Sequence, residues 1–266
     1  RAIICVHMFG YPCKINEIKT IAKKHKLALI EDASHAHGAE LNGKKIGTFG
    51  DISAFSLHQR KALSVGDGGI VCTNNASLAE KIYKMRSFGS CELSYNYRMT
   101  EFAGALGTTR LACLDSQNDE RRLTAEKLDL IVDQFPWLTS LKPLTDCISV
   151  YHSYIVFLDT TLSPVDLNQF IALASKYSIP FRKTWAPLHR HPHFNPTQCP
   201  ARGLPWLNPA YTSQIAQPIV HYVDQRFPVG DHLIDNSIAQ IDIHPGISDI
   251  HLQLIDEFFS FIQISH

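Results

Sequence analysis

The feature that most constrains the fold is the strand, helix, strand order at the start of the chain. Ala2-Ile3-Ile4-Cys5-Val6 is short, apolar and rich in β-branched residues, so it reads as a buried strand. Gly10-Tyr11-Pro12 breaks it. Ile15, Ile18, Ile21 and Ala22 then recur at helical spacing through Lys24, with Lys and Glu on the other face. Leu27-Ala28-Leu29-Ile30 is the next strand and ends at Glu31-Asp32. At this length the three pieces form a βαβ unit with parallel strands and a right-handed crossover, which places the chain in the α/β class. Asp32 therefore falls at the carboxyl end of a parallel strand, where open α/β sheets put their ligand sites. The same carboxylate could instead cap a helix starting at Ala33.

The second constraint is the stretch from Asp51 to Asn74. A strand-like run (Ile52, Ala54, Phe55, Leu57) ends in a polar loop with one lysine, Lys61. The cluster Gly66-Asp67-Gly68-Gly69 follows, then a second strand-like run from Ile70 to Thr73. A loop lysine is ordinarily a solvated charge. Beside a serine, a buried strand end and a flexible turn, its amine is also placed to condense with a carbonyl if the pocket keeps part of it neutral.

Downstream, Leu78, Ile82 and Met85 mark a helix capped by Asn75, and Thr100 caps another with Phe102, Ala105, Leu106 and Thr109 on one face. Gly104 and Gly107 in that helix suggest close packing against another backbone. Helical character resumes from Asp119 to about Gln134. The pattern changes around Pro136 to Pro143, which sets the boundary between a domain of residues 1–140 and one of residues 141–266. In the second, Cys147 to Leu158 is β-like, Asp166 to Tyr177 is a helix begun by Ser163-Pro164, and Ile179-Pro180-Phe181 is a short strand. Residues 185–210 are rich in Pro, His and Trp without period, and Ser248 to Ile264 is a closing amphipathic helix.

Composition narrows the function classes. Lys+Arg and Asp+Glu are both 25, which leaves no electrostatic footprint for nucleic acid or a membrane surface. Lys44-Lys45 and Arg121-Arg122 read as solvated pairs. Seven cysteines with no C-x-x-C spacing, among them Cys5 and Cys72 in apolar runs, read as buried free thiols of a reducing, cytoplasmic compartment. No apolar run has the length of a membrane span.

Asp32, Ser56 and Lys61 together make a set that pyridoxal phosphate (PLP) requires. Its aldehyde needs an amine, its protonated pyridine nitrogen a carboxylate, and its phosphate hydroxyl and N–H donors. A lysine in that place also serves as general base.

Three strings then carry a family resemblance. EDASHAHGAE (31–40), IGTFGDISAFSLHQRKALSVGDGG (46–69) and YNYRMTEFAGALG (95–107) resemble, in register, the PLP-dependent sugar aminotransferases of the DegT/StrS type. DIHPGIS (242–248) is similar to the His-Pro turn before that family's last helix. The likeness covers nearly the whole chain but begins in the middle of the family's large domain. Arg1 leads straight into a strand without an initiating Met, which suggests that the amino-terminal part is absent. In the family that part supplies phosphate donors, an aromatic stacked on the ring and some of the substrate pocket, so the chain by itself is expected to be weak in cofactor binding or inactive.

The resemblance implies the PLP-transferase fold of type I. Residues 1–140 would be a truncated PLP-binding large domain with a mostly parallel sheet, and 141–266 a smaller α+β domain. It further implies Asp32 as partner of the pyridine nitrogen, Ala33 as the small residue on the ring face, and His35 as the contact to the ring hydroxyl. Ser56 would bind phosphate, Lys61 would form the Schiff base, and Asn96 would reach the phosphate of the other subunit. The expected protein is a homodimer with shared active sites. It would move an amino group from an amino acid, glutamate or glutamine, to a keto sugar that is nucleotide-linked, or to a keto-cyclitol. Ser94 departs from the family's Gly and Lys14 from a commonly acidic residue. The related sugar dehydratases carry His in place of the lysine, which Lys61 argues against. A non-catalytic PLP-fold sensor or regulatory protein is the reading from another class.

Several histidines stay open. His35 and His37 could hold a metal, but no Cys or acid completes the spacing; His189, His191 and His193 with His152 invite the same reading, and no metal ligands are assigned. The latter group reads as a loop lining, with Arg190 or Arg182 near a sugar-nucleotide phosphate. His58 either orients toward the cofactor or faces solvent.

Overall fold

The computed structural model describes residues 1–88, 94–192 and 226–265. These divide into two compact units whose chain segments alternate. Unit 1 comprises 1–134, 140–154 and 241–256; unit 2 comprises 135–139, 155–240 and 257–266.

Unit 1 is built on a four-stranded sheet in the order β1-β2-β5-β6. Strands β1 (Ala2–Val6) and β2 (Ala28–Asp32) run parallel, joined by helix α1 (Ile15–Lys24), so the opening βαβ unit is as the spacing predicts. Strand β5 (Ile52–Ser56) lies parallel to β2, with Asp32 opposite Ala54, and β6 (Gly69–Cys72) returns antiparallel. Cys5, Ile15, Ala22, Leu29, Ala33 and Val150 are among the buried residues of its core.

Burial departs from the sequence reading at both edge strands. Ile4 and Val6 are exposed on β1, and all four residues of β6 are exposed, Cys72 included. An edge strand has one neighbour instead of two, so an apolar run does not guarantee two covered faces. Helix α2 (Ala76–Arg86) is capped by Asn75, which accepts the Leu78 N–H, and α3 (Glu101–Ala112) by Thr100, which accepts the Ala103 N–H. The apolar face expected of α3 is open, with Phe102 90% exposed. Its glycines do not pack on a backbone: a Cβ at Gly104 would meet nothing, and one at Gly107 would meet the Val65 side chain at 3.3 Å.

Helix α4 (Leu114–Val132) begins earlier than its apolar periodicity suggests. Its Asp129 draws segment 140–154 into unit 1, accepting from the Ser140 and Tyr154 hydroxyls, each at 2.6 Å, and pairing with Lys142 at 2.8 Å. Segment 140–154 is held further where the Val150 N–H and Ser149 hydroxyl both donate to the Gly10 carbonyl. Gly10 has φ +92°, and a Cβ there would fall 2.8 Å from the His152 main-chain nitrogen. Only glycine fits both constraints.

Unit 2 carries a sheet ordered β10-β11-β9-β7, from Arg182–Lys183, Ile238–Ile241, Tyr154–Leu158 and Leu138–Ser140. Its helix α5 (Leu167–Lys176) starts with a reciprocal capping box between Asp166 and Gln169, not with Ser163-Pro164. The expected strand at 179–181 lies one step later, in β10. Trp137, Phe170 and Phe259 are fully buried and meet edge to face or stacked at 6.0 to 6.3 Å. The closing helix is Asp249–Ser265. Among the described residues no helix is long and apolar enough to cross a membrane.

Candidate active site

The site is assembled at the carboxyl ends of β2 and β5. Asp32 is half-buried; its Oδ1 accepts the Ser34 N–H at 3.0 Å, and no helix begins at Ala33, so the helix-cap alternative is not realised. The Ala33 N–H donates to Ala54 at 2.9 Å, fixing the chain as it leaves the sheet, and the Ala33 side chain is fully buried.

The acid beside Asp32 is what holds this end of the sheet. Glu31 is fully buried and accepts the N–H groups of Gly47 (2.8 Å), Phe49 (2.7 Å) and Gly50 (2.6 Å), with the His7 Nε2 at 3.3 Å. Burial opposes its ionisation, but the His7 and main-chain hydrogen bonds outweigh it and hold the carboxyl below its usual pKa. The turn around it requires glycine at Gly47, where φ is +91° and a Cβ would strike the Phe55 ring.

Lys61 follows β5 in a loop closed across its base by Leu57 N–H to Gly68 O (2.9 Å) and Gln59 N–H to Gly66 O (2.7 Å). Leu57, Ala62, Leu63, Val65 and Leu114 make a small apolar cluster under that loop. His58 shapes the turn, its carbonyl accepting the Lys61 N–H and its Nδ1 the Arg60 N–H, rather than facing solvent freely. Burial lowers the Lys61 pKa, Asp32 raises it, Arg60 lowers it and Asp242 raises it, with a net fall. Lys61 and Asp32 thus lie within each other's field in one unit.

A cavity of about 220 Å³ opens beside the ammonium, lined by Lys61, Arg60, Arg110, Arg121, His152 and His244 among others. Arg121 is not solvated as its sequence pairing with Arg122 suggests. It is 4% exposed, donates to Asn118 Oδ1 at 3.1 Å, and burial beside Arg110 pushes its pKa down to about 10. Asp242 supplies a second carboxylate, receiving the Ser153 hydroxyl at 2.8 Å.

Of three imidazoles within the field of Lys61, His152 lines this cavity. His35 stacks on His152 with centroids 4.2 Å apart, and its Nδ1 accepts the Phe9 N–H at 3.3 Å. Burial, with Lys61 adding to it, pushes His35 down to about 4; burial and His35 push His152 to about 3; burial pushes His37 to about 4. All three are held neutral near pH 7; His35 accepts a hydrogen bond, and His37 packs against the Phe55 ring. Ser56 ends β5 opposite Gly69, and its Oγ accepts the His58 N–H at 3.3 Å.

Asn96 is not brought to this cavity. It is exposed and accepts from Arg98 Nε at 3.1 Å, between the stacked rings of Tyr95 and Tyr97. In unit 2, His189 and Arg190 are engaged by Asp231, and Arg190 also by Asp235. His193 lies outside the described residues.

Residues 1–226 match the DegT/DnrJ/EryC1/StrS aminotransferase family. The chain belongs to this family. The L-glutamine:2-deoxy-scyllo-inosose aminotransferase of Streptomyces kanamyceticus is 30% identical over 216 residues, which is 74% of this chain and 51% of that protein. The GDP-perosamine synthase of Escherichia coli O157:H7 is 37% identical over 134 residues, 47% of this chain and 37% of the relative. The chain thus spans about half or less of these relatives' length. The aminotransferase TlmJ from Streptoalloteichus hindustanus superposes with a TM-score of 0.80 at 20% identity, covering all of this chain and 66% of that one. The α/β fold of these aminotransferases is therefore the fold of this chain.

Within this family member, sequence reasoning named the pair Asp32 and Lys61 but missed Glu31, Arg110 and Asp242. Glu31 was visible only as the residue before Asp32, and its partners sit sixteen to nineteen residues away in IGTFG. Asp242 stood in plain view as the first residue of DIHPGIS. Nothing in that string says that it faces Lys61.

Proposed function

We propose that this chain is the catalytic portion of a PLP-dependent aminotransferase that transfers an amino group from an amino acid, glutamate or glutamine, to a nucleotide-linked keto sugar. The observation that carries this reading is the partly desolvated Lys61 within the field of Asp32, beside one cavity of unit 1. The family membership sets the reaction class, and the relatives named for glutamine and for a GDP-sugar support donor and acceptor classes.

The residues present fit PLP. An amine, a carboxylate, a hydroxyl (Ser56) and a fully buried methyl (Ala33) stand at adjoining strand ends, each suited to one part of the cofactor. PLP, when bound, supplies the electron sink that lets an amino acid lose its α-proton. Lys61 would hold the cofactor's aldehyde and would serve as the base that moves the proton; its lowered pKa makes the neutral amine accessible nearer to neutral pH. Asp32 keeps a cationic ring nitrogen charged. His35, neutral and braced by His152 and the Phe9 N–H, is placed to hydrogen-bond without adding charge. The arginines of the cavity suit an anionic donor or sugar nucleotide.

A homodimer with shared sites is part of this reading. Asn96 sits on an exposed loop with Tyr95 and Tyr97, close in sequence to the exposed Phe102 of α3, side chains of the kind a second copy covers. The test is amino-sugar formation by the PLP-loaded protein from glutamate or glutamine and nucleotide-linked keto sugars, followed by mass spectrometry. Product with wild type and none with Lys61→Ala is expected. Keto sugars left unaminated by a PLP-loaded wild type would contradict the proposal.

A further inference from the structure

Away from the lysine pocket, two thiols and an imidazole converge at the end of β1. Cys5 lies in β1, and His7 follows directly after the strand's last residue, Val6. The turn through Met8–Gly10 then swings Cys13 back against them, where its N–H donates to His7 Nδ1 at 3.2 Å. The ligating atoms of Cys5, His7 and Cys13 all lie within 4.8 Å of one another, the one such group of three among the described residues. Their spacing in sequence, Cys-x-His-x5-Cys, matches no metal motif, and only the fold brings them together.

We propose that Cys5, His7 and Cys13 bind a single thiophilic d10 cation of the Zn2+ or Cd2+ class. Four observations carry this. The donor set, two sulfurs and one imidazole nitrogen, is the chemistry that such ions select over magnesium or calcium. Around a tetrahedral zinc the donors stand about 3.3–3.8 Å apart, so a cluster already inside 4.8 Å needs only side-chain rotation. The imidazole is held as in metal sites: Nε2 faces the Glu31 carboxylate at 3.3 Å, which directs the proton to Nε2 and leaves Nδ1 an acceptor, here of the Cys13 N–H at 3.2 Å. Finally, Cys13 is only half-buried and lines a cavity of about 260 Å³ with Lys14, Glu17 and Leu41, which gives an ion a way in.

Binding replaces the Cys13 N–H as partner of Nδ1, and the two thiols release their protons to solvent. A third thiol, Cys147, packs against the same core cluster as Cys5 and Cys13 and is a candidate fourth donor. The ion would pin the turn between β1 and α1 to β1, whose following residue His7 contacts Glu31 on β2, a structural role independent of PLP.

The test is titration of the reduced, metal-free full chain with Cd2+ alone, read by the thiolate-to-cadmium charge-transfer absorption. One equivalent is expected to bind, with affinity falling at least about 100-fold in Cys5→Ser and in Cys13→Ser. Cys72→Ser and Cys113→Ser, at exposed thiols, leave it unchanged, as do Cys91→Ser and Cys199→Ser. Because the Cys5 and Cys13 variants sit near the core, X-ray absorption of the zinc-loaded wild type provides an independent reading. Two or three sulfurs at about 2.3 Å and one nitrogen at about 2.0–2.1 Å are expected. A reduced protein that takes up no cadmium, binding that survives both Cys5→Ser and Cys13→Ser, or a zinc shell without sulfur overturns the proposal.

Discussion

In unit 1 the end of the sheet that carries the chemistry is held by a buried charge; in unit 2 the centre is held by aromatic rings. Glu31 gathers three main-chain N–H groups and an imidazole. Trp137, Phe170 and Phe259 gather one another. A hydrogen-bonded anion fixes direction as well as distance, because each donor must point at an oxygen. Aromatic packing stabilises by area and tolerates small rotations. The polar device stands next to Asp32, one of the residues proposed to act in the reaction, and the apolar one forms the core of unit 2.

The sharpest way to break this contrast is to attack each side. Lys61→Ala should bring amino transfer below detection while thermal unfolding stays within about 1 kcal/mol of wild type. Asp32→Asn should lower turnover by roughly 100-fold, and unchanged turnover would mean that the carboxylate is not acting on the ring.

Glu31→Ala and Trp137→Ala should each cost about 3–5 kcal/mol in denaturant unfolding, the first by orphaning buried donors and the second by opening a cavity. They should differ in kind. Trp137→Ala should leave the affinity for PLP near wild type when measured below its unfolding midpoint, whereas Glu31→Ala should weaken it. Equal effects on PLP would erase the distinction.

Acid should expose unit 1 first. His35, His37 and His152 sit at about 4, 4 and 3 against an ordinary value of 6.5, so between those limits the unfolded chain binds protons that the folded one refuses. Stability is fully present above pH 6.5 and falls as pH drops toward 4, by about 1.4 kcal/mol per pH unit for each imidazole. His152→Phe should flatten that slope by one such increment in unfolding curves taken across this window. The smallest expected effect is Asp166→Ala in unit 2, about 1 kcal/mol from loss of the capping box in denaturant unfolding.

These differences follow what the sequence could reveal. Period and punctuation located β1, α1, β2, β5 and the caps Asn75 and Thr100, because each is decided within a few residues of itself. The order Asp32, Ser56, Lys61 was legible for the same reason, since strand ends in a parallel sheet converge at one edge. Glu31 was not, because its partners come from a turn beyond the next loop. The burial of Arg121 and the exposure of Cys72 were equally out of reach: one depends on α4 packing, the other on β6 being an edge. The return of residues 140–154 to unit 1 through Asp129 leaves no mark in a composition profile.

The most direct test of the central claim is to load the protein with PLP, reduce with borohydride and map the labelled peptide. The account predicts a pyridoxyl group on Lys61, with the label diminished in Asp32→Ala. A stoichiometric label on any other lysine, with Lys61 unmodified, would contradict it.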